Sequence, residues 1–285
     1  MYENFRVFET EFAGRPPVVE TGKMGQLANG SCLIRYGETS VFCAATASAK
    51  PRDGIDFLPL SVDFEERMYA AGKIPGGYLK REGKPSEKAV LTSRVIDRPI
   101  RPLFPKDMRN DVCVTMTVMS VDQDCSPEIT GMIGTSIALA ISEIPWKGPI
   151  GGVFMGLVDG ELVVNPTLEQ RQNSDLQLTV AATMNKIVMI EAGANEVDEY
   201  TMLEAIKKAH AEIKQIIAFI NGIVDEIGKP KVEFVSMDLD YEMFSKIRMD
   251  YLDDFKAAMD TDDKNVRDAR LLPIQDKLEA EYPDL

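Results

Sequence analysis

Gly76-Gly77-Tyr78-Leu79-Lys80-Arg81-Glu82-Gly83-Lys84-Pro85-Ser86-Glu87, and after it Ser93-Arg94-Val95-Ile96-Asp97-Arg98-Pro99-Ile100-Arg101-Pro102-Leu103-Phe104-Pro105, are the two runs on which the reading of this chain turns. The first joins flexible glycine backbone, one aromatic ring and the cations Lys80, Arg81 and Lys84. Single-stranded nucleic acid suits that mixture, because cations follow phosphates and a ring stacks on any base. A solvated surface loop has the same composition, so the run alone leaves both open. Ser86 can accept from the free amides of a helix that starts at Glu87, whose carboxylate suits the positive helix end. The helix is expected to run towards Asp97 and to end or kink at Pro99 and Pro102. Arg94, Arg98 and Arg101, spaced four and three, share a face only if the helix passes Pro99, and the prolines argue against a clean passage. Three guanidiniums beside Asp97 leave cation in excess, well shaped for phosphate. The alternative is that Asp97 and carboxylates from elsewhere neutralise them.

Charge sharpens the picture. The 285 residues hold 32 Lys/Arg against 46 Asp/Glu, a net −14, which argues against a chain coated in nucleic acid. Yet from Arg67 to Arg109 there are 11 Lys/Arg against 4 Asp/Glu, a basic island in an acidic chain. At 45% apolar and 27% charged, the composition excludes disorder. Cys32, Cys43, Cys113 and Cys125 lie far apart, and only His210 could join them, so neither zinc nor a disulfide framework is expected. That favours a reducing, cytoplasmic setting. Met1 to Glu11 has three Glu and no apolar core, and no run approaches a membrane span, so a soluble, unsecreted chain is expected.

Further elements follow from pattern. Ser31 to Tyr36 and Thr39 to Ala47 are strands around Gly37-Glu38, part of a meander that Asn29-Gly30 introduces. Arg67 to Pro85 reads as a long loop, Asp111 to Val121 as a strand and Thr130 to Ile144 as a buried helix. Val158-Asp159-Gly160-Glu161 is a hairpin turn, and Gln177 to Met184 and Lys186 to Glu191 are strands. Leu203, Ile206, Ile213, Ile217, Ile220, Val224 and Ile227 mark a long helix that Gly228 and Pro230 stop, with His210 packed on its stripe rather than catalytic. From Ser236 the composition turns to 14 Asp/Glu against 7 Lys/Arg, and helical spacing from Tyr241 to Phe255, with a break near 260–263, suggests a separate all-α module that needs something further to pack on. The expected fold class is α+β, with domains over 1–235 and 236–285.

The two opening runs, together with Glu11-Phe-Ala-Gly-Arg15, Met132-Ile-Gly-Thr-Ser-Ile-Ala-Leu-Ala140, Gly148-Pro-Ile-Gly151 and Val163-Val-Asn-Pro-Thr167, closely resemble, in order, the first RNase PH-like domain of the bacterial polynucleotide phosphorylase family. The resemblance covers residues 1 to about 235. It implies an RNase PH-like (ribosomal S5 domain 2-like) mixed sheet with packed helices, then the start of an all-helical linker domain. It also implies a homotrimeric, cytoplasmic enzyme with two RNase PH-like halves, KH and OB-fold domains, and RNA-degradation partners. Such an enzyme removes nucleotides from the 3′ end of single-stranded RNA by attack of inorganic phosphate, with Mg²⁺ at the active half.

The same resemblance implies roles for residues. Tyr78, Lys80 and Arg81 look like the loop at the channel constriction, with one ring where the family often has two. Arg94, Arg98 and Arg101 are similar to arginines lining the RNA path. The active half carries a Ser-rich phosphate turn and an Asp-x-Asp-x-Lys cluster. This chain has Ser126-Pro127-Glu128-Ile129-Thr130-Gly131 and Asp175-Leu176-Gln177-Leu178-Thr179 instead, a carboxylate in the anion position and one Asp surviving. No catalytic or metal residue is therefore expected in this half. Two other readings stand beside it. An autonomous RNase PH-like phosphorolytic exoribonuclease would release nucleoside diphosphate in an Asp175-dependent way, and a structural scaffold would show no salt-dependent RNA binding.

Overall fold

The computed structural model describes residues 3–52, 54–76, 82–236 and 240–282, and divides into two compact units, Met1–Ser236 and Met237–Leu285. The first unit is built on two sheets. Strands β1 (Arg6–Glu9), β2 (Pro17–Thr21), β3 (Gly30–Tyr36), β4 (Thr39–Ala47), β5 (Leu60–Glu65) and β6 (Val112–Ser120) form the larger, in the order β1-β2-β3-β4-β6-β5. Neighbours are antiparallel except β5 and β6, which run parallel. Helix α1 (Glu87–Ile100) is their crossover, since parallel strands cannot be joined by a tight turn.

The second sheet, β10-β9-β7-β8, contains β7 (Gly151–Val158), β8 (Glu161–Val164), β9 (Leu176–Ala182) and β10 (Ile187–Ala194), with the short α3 (Leu168–Gln172) between β8 and β9. Asp159 and Gly160 both take positive φ, 51° and 80°, in the β7–β8 hairpin, the conformation the Asp-Gly pair predicts.

Helix α2 (Pro127–Ile141) is the centre of the unit. Every residue from Ile129 to Ile141 is buried, against β3 and β4 of one sheet, β7 of the other and α4 (Glu199–Ile227). The approach to β4 is close enough to require glycine: a Cβ on Gly134 would lie 2.5 Å from Cys43 Sγ and 2.8 Å from Ile34 Cγ2. Cys32 and Cys43 face each other across β3 and β4, and all four cysteines are free, with Cys113 alone not buried. His210 is half-buried on α4, its Nε2 3.1 Å from the Thr183 carbonyl. The second unit is a helical pair, α5 (Tyr241–Met259) and α6 (Lys264–Glu281), capped by Asp240 and Asp263. The buried Tyr251 donates its hydroxyl to Glu281, whose carboxylate pushes that hydroxyl's pKa up to about 12. Among the described residues no helix is long and apolar enough to cross a membrane.

Candidate nucleic-acid interface

Helix α1 and the turn that follows it present Arg94, Arg98 and Arg101, three of the five described arginines of the basic island. Ser86 caps it by accepting from Ala89 N at 3.1 Å. Ser93 then ties it to the sheet, donating to Ala89 O and accepting from Phe64 N of β5, both at 3.0 Å. Ala89, Thr92, Ile96, Pro99 and Ile100 form its buried face.

The expected break at Pro99 does not occur. The helix runs to Ile100, Arg101 keeps helical angles (φ −56°, ψ −45°), and one 3-10 turn, Arg101–Leu103, follows. Tertiary structure overrides the local signal: Pro99 and Ile100 are buried, and the buried Trp146 donates Nε1–H to Ile100 O at 3.0 Å, satisfying a carbonyl at the helix end. Arg94, Arg98 and Arg101 consequently share one side of a continuous helix.

Their partners differ. Arg94 is exposed and has no ion pair with any described residue. Arg98 pairs with Glu191 of β10 at 3.2 Å, both side chains about half exposed (55% and 51%). Arg101 is the most committed, with Nε 3.0 Å from Asp97 Oδ2, Nη2 2.8 Å from Asp97 Oδ1 and Nη2 donating to Leu60 O at 3.0 Å. An exposed pair such as Arg98–Glu191 contributes under about 1 kcal/mol, so a phosphate can replace the carboxylate. Arg101 would have to give up a two-pronged contact. Val90 and Leu91, 48% and 53% exposed, lie on the same helix beside the cations.

Tyr78, Lys80 and Arg81 lie outside the described residues. The stems flanking them are joined: Arg67 Nη1 donates to Glu82 O at 3.1 Å, and Met68 N donates to the Glu82 carboxylate.

The turn before α2 is rigidly built. Asp122 N donates to Thr39 Oγ1 and Thr39 Oγ1 donates to Cys125 O, each at 2.7 Å. Arg15 donates to Asp124 O at 2.9 Å and Asn165 O at 3.3 Å, while Asn165 reaches Tyr36 Oη at 3.2 Å. Arg15 and Asn165, from two of the quoted motifs, thus share one scaffold. It presents Glu128 in the first turn of α2. Burial pushes the Glu128 carboxyl above its usual range, the Glu191 charge adds to this, and Lys88 opposes it. Asp175 immediately precedes β9, on which Gln177 and Thr179 share a face by strand alternation. Asn195 donates to Asp175 at 3.3 Å, and Thr179 sits opposite Glu191. Glu191 links the two regions: it pairs with Arg98, and its charge acts on Glu128. The sequence reading missed it, because nothing local marks a carboxylate 93 positions away as a partner.

Two patterns of one family match in succession: domain 1 of the 3′ exoribonuclease family over residues 13–145, and domain 2 over 148–212. The chain belongs to the 3′ exoribonuclease family. Within it, the chain is 58% identical over 285 residues to the polyribonucleotide nucleotidyltransferase of Ruminiclostridium cellulolyticum, covering 99% of this chain and 40% of that protein. It is 54% identical over 282 residues to the protein of that name from Clostridioides difficile (99% and 40%), and 53% over 279 residues to that of Heliobacterium modesticaldum (98% and 39%). The chain spans about 40% of the length of these relatives and matches their N-terminal part. Family membership accords with the mixed α+β architecture, whose six-stranded sheet contains the parallel β5–β6 pair.

Proposed function

We propose that the chain is the N-terminal portion of a polynucleotide phosphorylase, with residues 1–235 as its first RNase PH-like domain and 236–285 as the start of its all-helical linker domain. The whole protein, a cytoplasmic homotrimer working with other RNA-degradation proteins, shortens single-stranded RNA from the 3′ end. Inorganic phosphate attacks the terminal phosphodiester and a nucleoside diphosphate leaves. This half grips RNA and supplies trimer contacts, and the chemistry belongs to the second half.

The observation that carries this reading is Arg94, without an ion pair among the described residues, beside the exchangeable Arg98 on one helix face, in a chain of this family. Tyr78, Lys80 and Arg81 belong to the same grip, and Arg101 joins it by exchanging Asp97 for phosphate. The residues at the start of β9 do not fit a divalent cation. Asp175 already accepts from Asn195, Gln177 and Thr179 offer neutral oxygens, and Glu191 opposite Thr179 is paired with Arg98. Among the described residues no three carboxylate, thiol or imidazole side chains gather to hold a metal, whereas Mg²⁺ is held by carboxylates with substrate phosphates. Magnesium is therefore assigned to the second half, and no step is routed through it here.

The test is Arg94→Ala with Arg98→Ala in the full-length enzyme. Single-stranded RNA affinity should fall about tenfold at moderate salt, and the slope of log K against log[salt] should shrink by about 1.4. An unchanged affinity and slope would overturn the assignment of this face.

A further inference from the structure

Helix α2 is capped only in part from within, Ser142 donating its hydroxyl to Leu139 O at 2.8 Å. Its last turn carries no basic residue, and Ser142 leaves the helix with extended angles (φ −76°, ψ 165°). Buried carbonyls at such an end require donors from elsewhere. They come from the segment that leads out of the first unit after α4. Lys231 Nζ donates to Leu139 O at 2.9 Å, Ala140 O at 3.0 Å and Ser142 O at 2.6 Å, so all three ammonium protons are engaged. On either side of it the backbone joins in, with Lys229 N donating to Ile141 O at 3.0 Å and Val232 N to Glu143 O at 2.9 Å. Lys229 Nζ reaches Asn29 O at 2.8 Å and Glu143 Oε2 at 3.1 Å.

We infer that Lys231 is the clasp of a strap: residues 229–232 are fastened to the C-terminal end of α2 by its ammonium, and they open as one segment when that contact is lost. The arrangement is close to all-or-none. Burial works against the cation, pushing the Lys231 amine down to about 8, with Glu143 pulling the other way. A desolvated ammonium holds its place only while its carbonyl partners are there together. The strap is also the route by which the chain leaves the first unit, and the helix it grips carries Glu128 in its opening turn. Loosening the clasp therefore acts on the end of α2 and on the first residues of the segment that leads out of the first unit at once.

Hydrogen exchange on the 285-residue chain tests this. In Lys231→Met, the Lys229 and Val232 amides should exchange about tenfold faster or more, as expected for loss of hydrogen bonds to a charged donor, while the interior of α4 keeps its wild-type protection. Unchanged exchange at those two amides would overturn the inference. Global unfolding of the variant would also overturn it, since the lysine would then be holding the whole fold and not a local strap. Lys229→Met gives an independent check: it removes the ion pair with Glu143 but leaves the Lys231 contacts, so the Val232 amide should stay protected. Opening as large as that of Lys231→Met would assign the clasp to the wrong lysine.

Discussion

Helices α1 and α2 occupy one domain and are used in opposite ways. Helix α2 is buried on every side from Ile129 onward, and its residues are chosen for how closely backbone can approach backbone. Helix α1 buries one face and leaves the other to Arg94, Arg98, Val90 and Leu91. Substitutions in α2 should be felt as stability and, under the proposed function, those on the outer face of α1 as binding. The contrast separates what the fold needs from what is left over for a ligand, and it can be broken experimentally.

The largest effect belongs to Gly134→Val. Its Cβ would fall 2.5 Å from Cys43 Sγ, and the branched methyls would need room that the α2–β4 contact lacks. A loss of about 3 kcal/mol is expected in urea unfolding. A stable Gly134→Val chain would mean that α2 is not the packed centre described here. Next is Trp146→Phe, which keeps the apolar contact but removes the donor to Ile100 O and leaves a buried carbonyl unpaired. A loss of about 1–2 kcal/mol is expected, with increased amide exchange confined to the last turn of α1. If exchange there stays at the wild-type rate, the continuation through Pro99 has another cause.

The smallest effect is Glu128→Gln. The Glu128 carboxyl sits above its usual range in the folded state, so the folded chain binds the proton more tightly than the unfolded one. The penalty is fully present above the folded-state pKa and vanishes as pH falls below the unfolded value. Glu128→Gln should therefore raise stability at pH 8, by about 1 kcal/mol or less, and the gain should fade as pH falls towards the ordinary carboxylate range. A variant less stable than wild type at pH 8 would show that the carboxylate is a favourable part of this turn.

Much of this was legible beforehand because it is local. Gly37-Glu38 and Asp159-Gly160 announce hairpins by turn chemistry, and the stripe from Leu203 to Ile227 announces α4 by its period. Strand β5 is not among the expected strands, although Leu60-Ser61-Val62-Asp63-Phe64-Glu65 alternates cleanly. What local pattern could not supply was contact between distant positions. The proline rule for Pro99 was sound, and it lost to a tryptophan 47 residues on and to burial of the helix end. The neutralising carboxylates weighed against the arginines are there for two of the three, Asp97 on Arg101 and Glu191 on Arg98. Among the described residues, Arg94 is the one they leave out.

The indole at position 146 has one more consequence. It is the sole tryptophan of the chain, and its ring is buried with its N–H fixed on the final carbonyl of α1. Intrinsic fluorescence of the unmodified protein is thus an optical readout of that one junction, where the arginine-bearing helix is anchored to the body of the domain.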